Sequence, residues 1–315
     1  MQDIVTETSV AANGSPGSLM PVEPFLKIRP PTGWAALNLS EVWRFRDLMI
    51  ALASRDVKLR YKQTALGIIW VVLQPLLAAG IFSFVFGKLG NMPHGNTNSF
   101  LYSYVGLLGF NLFSGTLTKT SGCLIGNSQL ISKIFFPRLV LPFSAVPSVL
   151  IDFGVALAML AVLMLISTQP LTLNLLLVPF PIILILMLSL GVGLITAALT
   201  VSYRDVQYIL PVLTQILLYG SPVAYPLWYV MSKIPQTVIL HLHLGARHWE
   251  PHLHLRPLYL LNPLAAPLEA FKASLLGTDW PSTPSLVYAI IASVGMILIG
   301  AYSFKKMERK FADVI

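Results

Sequence analysis

The chain has 315 residues, of which 55% are hydrophobic and only 11% charged. With a mean hydropathy of +0.73, that balance excludes a soluble globular protein. The net charge of +8 does not point to nucleic acid, because the cations gather at the ends of apolar runs, where they fix orientation and meet anionic lipid.

Residues 1–38 are polar and rich in Gly, Ser and Pro; they lack the basic start and apolar core of a signal peptide and read as a mobile cytoplasmic tail. Ser40 is a plausible N-cap for an amphipathic interface helix over 39–62. Val42, Phe45, Met49 and Leu52 step by three, four and three onto one face, with Arg44, Asp47, Arg55 and Lys58 largely elsewhere. Such a helix lies in the plane of the interface. Its end carries a basic collar, Arg55, Lys58, Arg60 and Lys62, opposed only by Asp56, hard against an apolar run. This pattern marks the cytoplasmic edge of a membrane.

Residues 63–304 read as an all-α polytopic membrane domain, with six apolar runs of spanning length near 65–87, 100–120, 139–166, 173–201, 208–228 and 285–304. In the second, Asn111, Gly115, Thr118 and Gly122 share a face, a small and polar stripe expected to pack helix on helix. The fourth carries Pro179 and Pro181, tolerated near a helix start. Cys123, the single cysteine, excludes an intramolecular disulfide and reads as packing. With the N-terminus inside, sixteen of the 21 Lys and Arg are cytoplasmic, against Lys88, Lys233, Arg247, Arg256 and Lys272 outside. That asymmetry places both termini, including the basic tail 305–315, in the cytoplasm. The outer segment 229–284 is too long for a turn, and its half-apolar stretch after Pro257 reads as a pair of short re-entrant or interfacial helices.

Several stretches carry a resemblance. They are Trp43 to Leu48, RDVKLRYKQTALGIIWVVLQP at 55–75, GNSQLISKIFFPRLVLP at 126–142, YRDVQYILPVLTQILLYGSPVAYP at 203–226 and LNPLAAPLEAFKASLLG at 261–277. In this order they resemble the membrane subunits of ABC exporters for lipid-linked polysaccharides such as O-antigen, capsule and teichoic acid. The histidine-rich stretch 241–257 departs from the pattern as extra length. The resemblance implies a homodimeric pore in the bacterial inner membrane, driven by a separate ATP-binding subunit that carries ATP and magnesium. The substrate it implies is a glycan on undecaprenyl diphosphate. It implies contact with the ATPase through Arg44, Arg46, Arg55, Lys58, Gln129, Lys133, Arg138 and Arg204, and an outer gate bearing Asn262, Glu269 and Lys272.

The residues themselves add the following. No Gly-x-x-x-x-Gly-Lys-Ser/Thr occurs: Gly87-Lys88 has Phe82 and Leu89 where glycine and a hydroxyl belong, so the chain has no phosphate cradle of that kind and no cofactor of its own is expected. Lys133 and Arg138 flank a short helix halted at Pro137, as coupling residues or as ordinary inner-face anchors, and Arg204 with Asp205 reads as a tie between two span ends. A sugar conduit needs side chains with an apolar body and a polar tip. Gln63, Trp70 and Gln74 in the first span, and Tyr208, Gln215 and Tyr219 in the fifth, form matching stripes at i, i+7 and i+11; they are pore wall, or else interfacial belt and interhelix bonds. Asp152 is about 20 Å deep in a core of ~30 Å. It is a functional acid, or a protonated one bonded to a neighbouring helix. Glu269 and Lys272, at i and i+3, form an ion pair or meet substrate.

Five of six histidines fall at His241, His243, His248, His252 and His254; a polar, pH-sensitive outer loop is expected there, and no metal site. Two other classes compete with the exporter. One is a polyprenyl-linked glycosyl- or acyltransferase using these histidines, although the acids are scattered and unpaired. The other is an ion-coupled secondary transporter running on Asp152, although no inverted repeat is visible.

Overall fold

A computed structural model describes residues 39–62, 67–93, 97–134, 136–169, 173–233, 238–239, 242–244, 247–249, 252–253 and 255–314. The tail 1–38, Gln63, His241 and His254 lie outside the described residues. The fold is an all-α polytopic membrane protein. Two short helices, α1 (Leu39–Arg44) and α2 (Arg46–Lys62), precede the spans. Val42 and Leu52 are buried, Phe45 and Met49 pack beside them, and Arg44, Arg46, Arg55 and Lys58 are exposed. The face set by the apolar spacing is therefore the face that packs. It covers an inner-end cluster that includes Leu124, Leu141, Leu194, Ala197 and Phe304. α2 runs along α6 (Val140–Ile166), so its last turn arrives beside the middle of that helix.

Five segments are long and apolar enough to cross a bilayer: Ile69–Leu89, Ser99–Gly126, Val140–Ile166, Leu173–Ser202 and Thr283–Glu308. The first is α3 (Gly67–Phe82), closed by a π-helical turn over Ser83–Leu89. α4 (Ser99–Gly126) is central and packs against α3, α6 and α7 (Pro179–Ser202). Asn98 caps it by accepting from the Phe100 N–H at 3.0 Å. Pro179 opens α7, where its missing N–H costs nothing. α7 lies against α12 (Thr283–Val314) in the most extensive pairing of the fold. A Cβ on Gly191 would fall 2.5 Å from the Met296 carbonyl carbon, and one on Gly300 would meet the Gly191 carbonyl oxygen. Without water to drive apolar helices together in lipid, such close backbone approach is what holds them.

Two expectations change. The predicted fifth span, 208–228, is a helix of only 15 residues, α8 (Val206–Gly220), shorter than the ~20 residues a crossing needs. The helix stops because Pro222 follows Ser221 and disfavours helical backbone before it. Residues 221–226 then fold back as a buried turn, with the Val223 carbonyl set against Gly106 of α4. The second change concerns the Asn111, Gly115, Thr118 and Gly122 stripe, which is not a tight seam. Asn111 and Thr118 are exposed, and nothing lies within 4 Å of a Cβ on Gly122.

Beyond α8 the outer segment holds α9 (Leu227–Lys233), four short strands, α10 (Leu255–Leu260) and α11 (Ala265–Leu276). β1 (Val238–Ile239) pairs with β4 (His252–Leu253), and β2 (Leu242–Leu244) with β3 (Arg247–Trp249), both antiparallel. His243 stands opposite His248 in this register. Among the described residues no group of three or more His, Cys, Asp or Glu could hold a metal. All twelve residues of α11 are buried, and the helix ends at Gly277 in left-handed backbone (φ 68°).

Candidate functional site

Three zones collect the chemistry-bearing side chains. At the end of the spans that carries α2, the Arg55 guanidinium donates to Asp56 and, at 2.8 Å, to the Asn127 side-chain carbonyl. Asn127 in turn donates to the Cys123 carbonyl at 2.8 Å. It sits between α4 and α5 (Ser128–Lys133), so Arg55 ties the amphipathic helix to the loop expected to couple. Arg44, Arg46, Lys58, Gln129, Lys133 and Arg204 are exposed. Arg138 differs: it is partly buried and donates to the Glu308 carbonyl of α12 at 2.5 Å, so it anchors the end of the last span. Arg204 and Asp205 are both exposed, and the backbone holds their turn through Gln207 N–H to Arg204 and Tyr208 N–H to Asp205. The expected tie between span ends is not formed by their side chains among the described residues.

The second zone surrounds Asp152. Its carboxylate accepts from Arg60 on one oxygen and from the Tyr61 hydroxyl, at 2.5 Å, on the other. Lys119 Nζ lies 3.5 Å from it and donates to Ser148 Oγ at 2.9 Å. Burial, and then the bond to Asp152, push the Tyr61 hydroxyl up to about 12, which keeps it a donor. Asp152 is thus neither a lone acid nor one merely bonded to a neighbouring helix: it joins α2, α4 and α6 through two cations and a hydroxyl. Beside it opens a cavity of about 270 Å³ between α3, α4 and α6, lined in part by Arg60, Gln74, Asn111, Ser114, Lys119 and Asp152.

The third zone lies at the opposite end of the spans and is sealed. Lys272 is fully buried, and its Nζ donates to Glu269 at 2.9 Å, to the Tyr102 hydroxyl at 2.7 Å and to the Pro222 carbonyl at 2.8 Å. It also stands 4.3 Å from the Tyr102 ring centre. Glu269 accepts from the Leu227 N–H at 2.9 Å. Burial drives the Lys272 ammonium below its usual range, and the Glu269 charge opposes that shift. Of the two readings open for Glu269 and Lys272, the structure makes the ion pair. Asn262 donates to Ser221 Oγ at 2.9 Å, and the Tyr225 hydroxyl donates to the Tyr219 carbonyl at 2.6 Å. The Lys272–Pro222 and Asn262–Ser221 bonds hold the α10–α11 region to the turn after α8, and the Lys272–Tyr102 bond holds it to α4.

The two stripes sit on open surface. Trp70 and Gln74 of α3 are exposed, as are Tyr208, Gln215 and Tyr219 of α8, with Tyr208 at 78%. α8 buries only Leu210. The Phe82 and Tyr219 rings lie 6.3 Å apart, bringing the end of α3 against the end of α8.

Sequence reasoning missed Tyr61, Lys119, Asn127, Tyr102 and Tyr225 as participants. One signal was available for Lys119. A lone acid in one span and a lone cation within two turns of the inner end of another are natural partners in lipid.

The family model described as "ABC-2 type transporter" matches residues 47–239. An O-antigen export system permease protein RfbA from Myxococcus xanthus is 27% identical over 277 residues, covering 87% of this chain and 98% of that protein. One of the same name from Klebsiella pneumoniae is 25% identical over 271 residues, covering 85% and 95%. The family match runs from the start of α2 through β1, taking in the Arg55–Asn127 tie, the Asp152 cluster and both exposed stripes, and on that span this chain belongs to the ABC-2 type transporter family, as a multi-pass transport subunit.

Proposed function

We propose that the chain is the permease subunit of an ABC exporter that carries an O-antigen-like polysaccharide, linked to undecaprenyl diphosphate, across the bacterial inner membrane. The observation that carries this reading is the alignment, over nearly their whole length, with relatives named O-antigen export permeases. Two copies form the pore, and a separate subunit binds ATP and magnesium. The excess of cations at one set of span ends supports cytoplasmic termini. The exposed stripes on α3 and α8 support a pore wall completed by a second copy, because aromatic and amide side chains on an unpacked helix can slide along sugar faces. Arg44, Arg46, Arg55, Lys58, Gln129, Lys133 and Arg204 form the ATPase-facing surface, and α11 with Asn262 forms the outer gate. Asp152 is fixed by Arg60, Tyr61 and Lys119, which favours an ATP-driven cycle over ion coupling through that acid.

Co-expression with a tagged ATPase subunit tests the reading. The chain is expected to stay on the tagged subunit in detergent, to be required for glycan export, and to be catalytically silent alone. Catalysis by the purified chain, or transport by single copies, overturns it.

A further inference from the structure

The four strands between α9 and α10 form an amphipathic ribbon. The pairs Val238–Leu253 and Ile239–His252 belong to one ladder, and Leu242–Trp249, His243–His248 and Leu244–Arg247 to the other. The spacing between the two ladders is the same on both strands, so alternate residues keep to one face throughout. One face holds Val238, Leu242, Leu244, Trp249 and Leu253, with Arg247 at its tip. The other holds Ile239, His243, His248 and His252. A slip of one residue on either strand would mix the two sets.

A two-stranded ribbon is marginal in water by itself and needs a surface for its apolar face. Among the described residues the strands pair extensively only with one another, and no helix packs extensively along them. The two feet of the ribbon carry the chemistry of a membrane boundary. In α9 the exposed Trp228 meets the Tyr229 ring edge-on at 5.9 Å, and Lys233 Nζ lies 5.9 Å from the centre of that ring. Tryptophan, tyrosine and lysine grouped in this way are the composition of the layer between acyl chains and water. At the other foot, Leu260 and Leu261 are exposed at the end of α10. Both feet are rooted in the sealed zone. Glu269 accepts from the Leu227 N–H, and the Tyr259 hydroxyl donates to the Tyr225 hydroxyl at 3.4 Å.

We propose that the ribbon lies flat on the bilayer surface at this end of the spans, with its leucine and tryptophan face on the lipid and its histidine face toward water. Arg247 then reaches the phosphate groups of the head-group layer. The occupant is lipid because the ribbon leaves and rejoins helices already at that boundary. A tryptophan and an arginine among leucines are also what head groups and upper acyl chains accommodate together. The inference holds whatever the chain transports, and its failure would leave the export reading untouched.

The test uses the full chain in phosphatidylcholine nanodiscs, with the single substitutions Leu242→Cys, Leu244→Cys, His243→Cys and His248→Cys, each labelled with an environment-sensitive fluorophore. Cys123 is buried and stays in place, and the unsubstituted protein supplies the blank. Phospholipid brominated near the head of its acyl chains is expected to quench positions 242 and 244 about threefold more than 243 and 248, and aqueous iodide the reverse. Loss of this alternation, or equal quenching of all four by iodide, overturns the proposal. So do probes at 242 and 244 that neither quencher reaches, because protein, from this subunit or a second copy, would then cover the face. Unlabelled protein guards against damage by the probes. Tryptic cleavage after Arg247 is expected to run about tenfold faster when Leu242→Asn and Leu244→Asn are combined than in the original chain. Equal cleavage rates overturn the proposal as well.

Discussion

The acid at Asp152 faces two cations beside an open cavity, whereas the acid at Glu269 faces one cation inside sealed packing. Lys272 is fully buried, with a carboxylate, a hydroxyl, a carbonyl and an aromatic face around it. Lys119 and Arg60 keep 30% and 49% of their side-chain surface exposed. A balanced, enclosed pair fixes one arrangement, because either charge alone would be stranded in low dielectric. Partly exposed charges fix an arrangement less strictly, because solvent screens them. The difference separates a sealed clasp at Glu269 from an ion cluster at Asp152 that solvent reaches.

Lys272→Met should break the clasp outright. It strands Glu269 and removes the tie to Tyr102 and Pro222, for a loss of about 3–5 kcal/mol. Thermal unfolding in detergent reads it, and a melting temperature equal to wild type would refute the clasp. Adding Glu269→Gln should recover part of the loss. Tyr225→Phe, which removes the hydroxyl bond to the Tyr219 carbonyl, should cost about 1 kcal/mol in the same measurement. Asp152→Asn should cost less than about 1 kcal/mol, since its partners are partly exposed and solvent screens them. If it destabilised as much as Lys272→Met, the contrast between the two zones would vanish. Arg55→Ala should be the mildest for stability, a few tenths of a kcal/mol. Its effect should appear as lost stimulation of the partner ATPase, through the freed Asn127. Unchanged ATPase coupling with that variant would remove α2 from the transmission path.

Much of this was legible because lipid imposes so strict a grammar. Apolar run length located five spanning segments, the three-four-three spacing of Val42, Phe45, Met49 and Leu52 found the face on which α1 and α2 pack, and Pro179, read as tolerated near a helix start, opens α7. What escaped was whatever depended on distance along the chain. Arg60 meets Asp152 across 92 positions and Lys272 meets Tyr102 across 170, and no periodicity encodes such pairings. Lys119 was counted with the inner loops because the second apolar run thins out near 120, while the helix continues to Gly126. The short α8 was hidden by hydropathy that continues through Val223 and Ala224, although Pro222 and Pro226 were the signal that the helix could not. The small-residue stripe on α4 misled for a different reason. Small residues permit close approach without requiring it, and the partner backbone comes to Gly106 instead.

The contact between Gly191 and Gly300 has a mechanical consequence. Where two helices touch through side chains, either can creep along the other by rotamer changes. Where they touch main chain to main chain, sliding by one position presses Leu190 or Val192, or Ile299 or Ala301, into a gap with no room for a methyl group. α7 and α12 are therefore geared together at one tooth, and their register is the least adjustable in the subunit.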